Sequence, residues 1–152
     1  MAKRSKNINM FLMDGEVTGK IKCTLSNWTG VIYKIPRIQL VDLKSRDEMK
    51  QSGIYFLFGR DEDKQKDMIY IGQATTRKNG EGVLLRIQEH TRDTHADYFN
   101  DVIILTTQNN SFGPTEISYL ENKFTQLAKE AGRYIVKNSN DPNPGNVTEE
   151  KE

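Results

Sequence analysis

The strongest constraint on this chain is the presence of apolar runs with two incompatible periods. Gly53–Phe58 alternates, with Ile54, Phe56 and Phe58 on one face and Tyr55 and Leu57 on the other, which is strand patterning. Met68–Gly72 is a second apolar run. The intervening Gly59–Asp67 is mostly charged, so the three together predict an antiparallel hairpin with a solvated loop. From Pro114 the period changes. Ile117, Leu120, Phe124, Leu127, Ala128 and Ala131 recur at three- and four-residue steps, and Gly132 follows as a stop. Such a helix has to lay its apolar stripe on a sheet. A polar loop, Gln73–Gly82, then a helix, Val83–His90, and a strand, Val102–Leu105, fill the interval. The order strand, strand, helix, strand, helix predicts an α+β fold, with helices flanking a small antiparallel or mixed sheet.

The first third reads as β-rich. Asn9–Met13 and Ile21–Leu25 flank a glycine-containing turn, Asp14–Lys20, and Val31–Ile35 is a third strand stopped by Pro36. Arg46–Gln51 suits a short helix capped by Ser45. At 152 residues with 36% hydrophobic content, the chain is suited to a single core. The expected organisation is an N-terminal extension over 1–52 packed on the core, a main domain over 53–140, and a flexible polar tail or linker over 141–152. In the extension, Trp28 and at least two of Ile21, Val31 and Ile35 should pack inward. The tail would suit a chain cut from a longer protein.

Twenty-two basic residues against 21 acidic ones leave a net charge of +1. No global field draws such a chain to a polyanion, so any polyanion site has to be local. No run approaches the roughly 18 apolar residues of a membrane span, and Met1–Lys6 leads into no signal region, which predicts a cytoplasmic protein without membrane association. Cys23 has no cysteine partner and is expected to be a buried thiol. Asn27-Trp28-Thr29 and Asn146-Val147-Thr148 match the glycosylation pattern by chance in such a setting.

Taken singly, the polar candidates each have a structural explanation. Tyr55 and Tyr70 lie on strands, where tyrosine packs well. Arg86 and His90 are four apart and share a helix face, as a solvated pair would. Glu121 falls close to Ile117 and Ala128 at the edge of the apolar stripe, whereas Glu130 projects away from it. A carboxylate there must be paired, bind a cation or reach water.

In combination, Gly53-Ile54-Tyr55, Tyr70-Ile71-Gly72 on the next strand, Arg86 and His90 on the following helix and Glu121 on a later one resemble the GIY-YIG nuclease family. The resemblance covers roughly residues 53–140. Tyr119-Leu120-Glu121 and Ala128 to Tyr134 are similar to bacterial members that carry a further C-terminal domain. Two departures stand out: a long segment between Tyr55 and Tyr70, and Gln73, where some relatives place a lysine.

The resemblance implies a metal-dependent DNA endonuclease. Glu121 would hold one divalent ion, magnesium with manganese as a substitute. Arg86 would contact the phosphate, His90 would orient a tyrosine or share in proton transfer, and Tyr55 or Tyr70 would take the proton from the attacking water. Asn138, or else Asn140, would close the site. The alternative is a catalytically silent module on the same fold that binds DNA or a protein, for instance through Phe11, Trp28 and Tyr33.

Overall fold

The computed structural model describes residues 5–75, 82–91, 98–109 and 111–138, apart from the side chains of His90 and Thr91. Within them the chain forms β1 (Ile8–Leu12), β2 (Ile21–Leu25), β3 (Gly30–Pro36), β4 (Gly53–Asp61), β5 (Lys66–Ala74), α1 (Val83–Thr91), β6 (Phe99–Thr107), α2 (Pro114–Ala131) and β7 (Ile135–Val136). The strands make one sheet in the order β1-β2-β3-β6-β4-β5-β7. Every neighbour is antiparallel except β5 and β7. The architecture is therefore mixed α+β on a largely antiparallel sheet.

The alternation read at Gly53–Phe58 decides how the layers stack. Tyr55 and Leu57 enter a core with Val83, Leu84 and Ile87 of α1, and with Leu40, Leu43 and Met49 from two 3-10 segments, Arg37–Leu43 and Asp47–Lys50. Ile54 enters a second core with Ile71 and Ile117, against which Phe56, Leu120 and Phe124 pack. Phe56 meets Phe124 edge to face at 5.3 Å. Such a pair adds about 0.5–1.5 kcal/mol beyond its buried area. Since both faces of β4 are covered, both halves of its alternating pattern are apolar.

Residues 1–52 contribute more than a packed extension. β3 runs antiparallel to β6 from Gly30 opposite Thr107 to Pro36 opposite Asp101, so the first three strands continue the same sheet. Val31, Tyr33 and Ile35 share one core with Tyr55, and Ile21 is also buried. Trp28 departs from expectation, with 42% of its surface exposed. It sits in the turn between β2 and β3, with its ring over Gly30. Cys23 is likewise only partly buried. It lies on β2, whereas α2 packs on β4, β5 and β7.

Other boundaries move for identifiable reasons. Gly59–Asp67 is mostly ladder, because β4 and β5 pair out to Asp61 opposite Lys66. Charged residues pair where the hairpin projects into solvent, and Arg60 bonds Asp67 at 2.9 Å. The turn is closed by Asp61 Oδ1, which accepts from the N–H of Asp63 and Lys64. The expected helix over Arg46–Gln51 is the single 3-10 turn Asp47–Lys50, entered from Arg46 and not capped by Ser45. Gln73 and Ala74, expected in a loop, belong to β5.

Helix α2 begins and ends as its sequence suggests. Glu116 Oε1 accepts the Gly113 N–H at 3.0 Å, and Gly132 adopts φ 68°, the left-handed stop that suits glycine. Its stripe is rotated from the expected one. Leu127 is 46% exposed, and the fully inward line is Ile117, Glu121 and Thr125. Glu121 therefore stands within the buried face and not at its edge. The tail over 141–152 lies outside the described residues.

Candidate active site

The site is built where the open end of the β4–β5 hairpin meets α1 and α2. In the ladder Tyr55 pairs with Gly72 and Leu57 with Tyr70, which puts both tyrosines on the same face, one diagonal apart. Their rings stack with centroids 6.3 Å apart and planes at 26°. Gly72 makes this possible. A Cβ there would strike the Tyr55 ring and hydroxyl, so the glycine of the second tripeptide is the space that the tyrosine of the first occupies.

Arg86 arrives from α1. The burial of Val83, Leu84 and Ile87 fixes that helix against Tyr55, and the Val83 N–H donates to the Gln51 carbonyl at 3.0 Å. Arg86 bonds Glu89 at 3.1 Å and acts on Tyr55 through its charge and through side-chain hydrogen bonding. Partial burial works against its charge. The facing Tyr55, Glu89 and Tyr70 nonetheless leave the guanidinium above its ordinary pKa.

Glu121 comes from the other side. Its helix α2 packs on Ile54 and Ile71, which alternate away from the tyrosines, so it enters from the opposite sheet face. Glu121 as a whole residue is 9% exposed, and Gln73 Nε2 donates to its Oε1 at 2.6 Å. Burial raises its pKa to about 7, against the opposing effects of the Gln73 hydrogen bond and the Arg86 charge. Tyr55 in turn is raised well above the ordinary tyrosine range, first by burial, then by Tyr70, and in lesser part by Glu121. Tyr55, Tyr70, Arg86 and Glu121 thus form one electrostatic unit drawn from both faces of the sheet.

Two expected members stand apart. His90 lies on α1, but its side chain is outside the described residues. Asn138 bridges the backbone of Ile71: its Oδ1 accepts the Ile71 N–H at 3.1 Å and its Nδ2 donates to the Ile71 carbonyl at 2.6 Å. It thereby prolongs the pairing of β7 along β5, where β7 itself reaches only Met68 and Ile69. Asn140 lies outside the described residues.

One residue was not singled out in the sequence. Tyr98 packs against the same core as Tyr55 and Tyr70, and its hydroxyl is buried without a hydrogen-bond partner among the described residues. Burial and then the neighbouring Tyr70 raise its pKa. A Cβ at Gly59 would collide with the Tyr98 carbonyl, so Gly59 lets this backbone pass close to β4. A tyrosine just ahead of a strand carries no signal of its own.

Among the described residues no group of three or more histidine, cysteine or acidic side chains could hold a metal ion. Glu121 offers a different arrangement. One of its oxygens is tied by Gln73, and the other accepts no hydrogen bond among the described residues. That suits a hydrated ion held by a single carboxylate, as magnesium is often held, and does not suit zinc, which takes three or four protein ligands.

With this geometry in view, comparison with protein families, with curated proteins and with solved structures finds no match to this chain. No helix among the described residues is long and apolar enough to cross a membrane.

Proposed function

We propose that this chain is a GIY-YIG-type nuclease that hydrolyses phosphodiester bonds in DNA with the aid of a divalent ion, in a cytoplasmic setting. The observation that carries this reading is the Tyr55–Gly72 juxtaposition. It links the two tripeptides sterically and stacks Tyr55 on Tyr70, with the charge of Arg86 acting on both and that of Glu121 on Tyr55.

A phosphodiester resists hydrolysis because its charge repels nucleophiles and its alkoxide is a poor leaving group. Arg86 meets the first difficulty by donating forked hydrogen bonds to non-bridging oxygens, strengthened as charge builds in the transition state. Tyr55 is held protonated by burial, so its role is to donate, orienting the attacked phosphate or the incoming water. Tyr70 is only half-buried and lies beside Arg86, which favours it as the group that takes the proton from water. Glu121 would hold the magnesium or manganese ion, which when bound offsets phosphate charge and supports the leaving oxygen. In this reading His90, four residues after Arg86 in α1, would assist proton transfer.

A catalytically silent DNA-binding module is the second reading. What favours it is that α2 brings Glu121 from the sheet face opposite the tyrosines. The two part on cleavage of linear, branched and single-stranded DNA with magnesium, with manganese and with chelator. Metal-dependent cleavage that disappears in Arg86→Ala supports the nuclease, and metal-independent binding without cleavage supports the silent module.

A further inference from the structure

Glu121 is placed awkwardly for the task proposed for it. Its helix packs on the sheet face opposite the tyrosines, and its side chain belongs to the inward line Ile117, Glu121, Thr125. A glutamate has three rotatable bonds, so a carboxylate left to itself would sample several directions and seek water, as buried charge does. Something has to hold it at the open end of the hairpin.

Gln73 is so placed. It follows Gly72 directly on β5, and alternation points it to the α2 face with Ile71. Its Nε2 donates to Glu121 Oε1 at 2.6 Å, which fixes one oxygen and leaves the other unbonded among the described residues. The backbone under it is also held, because Asn138 bridges Ile71 two residues earlier and Ala74, the next residue, is buried against Gly53. Carboxylates that ligate metals are commonly oriented by such hydrogen bonds, and loss of the partner typically weakens the metal about 10- to 100-fold.

We propose that Gln73 is the positioning residue for Glu121, holding one carboxylate oxygen so that the other is presented to a divalent cation. This rests on the reading of Glu121 as the ion's ligand. An amide performs the task without competing, because it donates a hydrogen bond but carries no charge to oppose the ion.

The test is manganese binding by the full chain without DNA, followed through the free-ion electron paramagnetic resonance signal. The proteins are wild type, Gln73→Met, Gln73→Leu and Glu121→Gln, with thermal melts on the same samples. Gln73→Met keeps length and removes the donor, and its dissociation constant for manganese is expected to rise about 10- to 100-fold with the melt unchanged. Glu121→Gln is expected to lose the ion altogether. Wild-type affinity in Gln73→Met, while Glu121→Gln loses the ion, overturns the role of Gln73 and leaves the nuclease reading standing. Equal binding by wild type and Glu121→Gln overturns both. If Gln73→Met and Gln73→Leu lose the ion only together with the fold, the residue is structural and the proposal also fails.

Discussion

Gly72 lies directly opposite Tyr55 in the β4–β5 ladder, and the tyrosine ring fills the volume that a side chain at 72 would occupy. Gly72→Ala is therefore expected to push the ring off Tyr70 and strain a buried strand. Forcing a methyl group into a packed interior costs about 1–3 kcal/mol. Thermal melts should show that loss, and the variant should cleave DNA more slowly than wild type even at temperatures where it is fully folded.

Glu121→Gln separates catalysis from folding. Its pKa is raised to about 7 from an ordinary 4.5, so between these values the folded chain binds more protons than the unfolded one. Stability from this group is therefore full below about pH 4.5, falls as pH rises, and is lost by about pH 7. The shift corresponds to roughly 3 kcal/mol as an order of magnitude. Glutamine removes the charge, so melting temperature at pH 8 should hold or rise and its pH dependence in this window should flatten. DNA binding should survive while magnesium-dependent cleavage collapses. A drop in melting temperature at pH 8 would instead mark a structural ion pair.

The tyrosines should divide by burial. Tyr70→Phe keeps the ring and removes the hydroxyl proposed to take a proton, which is typically worth 10²–10⁴-fold in rate. Tyr98→Phe deletes a hydroxyl that has no partner among the described residues, so its stability should match or slightly exceed that of wild type. Single-turnover cleavage and melts on both variants check this. A Tyr98→Phe protein destabilised by more than about 1 kcal/mol would mean that the hydroxyl is hydrogen-bonded.

Asn138 should behave as a structural residue. Its two hydrogen bonds to Ile71 are both lost in Asn138→Ala, leaving a backbone N–H and carbonyl unpaired at a cost of about 1–3 kcal/mol. Asn138→Asp keeps the acceptor and should retain part of that stability. Activity and melting temperature should fall in step across the two variants. Loss of cleavage with an unchanged melt would return Asn138 to the catalytic group.

Much of the scaffold was decided by local pattern. Period-two alternation at Gly53–Phe58 assigned each side chain to its face, because a strand has no other way to place successive Cβ atoms. Three- and four-residue spacing with Gly132 set the helix that carries Glu121. Alternation also permitted the two tyrosines to share a face, and the register that sets Leu57 opposite Tyr70 put them there.

What the tertiary structure alone decided concerns groups distant in sequence. The pairing of β3 with β6, which draws the first third of the chain into one sheet, rests on backbone hydrogen bonds that any β-branched run can offer, so no local pattern specifies the partner. Trp28 looked like a core residue because its type favours burial, but the folded chain lays its ring over Gly30 in the turn and leaves it 42% exposed. Helical periodicity placed Glu121 near the stripe, and the packing of α2 on Ile54 and Ile71 put it inside, on the face opposite the tyrosines. The Gln73–Glu121 hydrogen bond and the buried hydroxyl of Tyr98 follow from that packing. Strand and helix periods are properties of neighbouring residues and can be read in order along the chain. The electrostatics of a site depend on which distant groups exclude water from one another, and only the folded chain determines that.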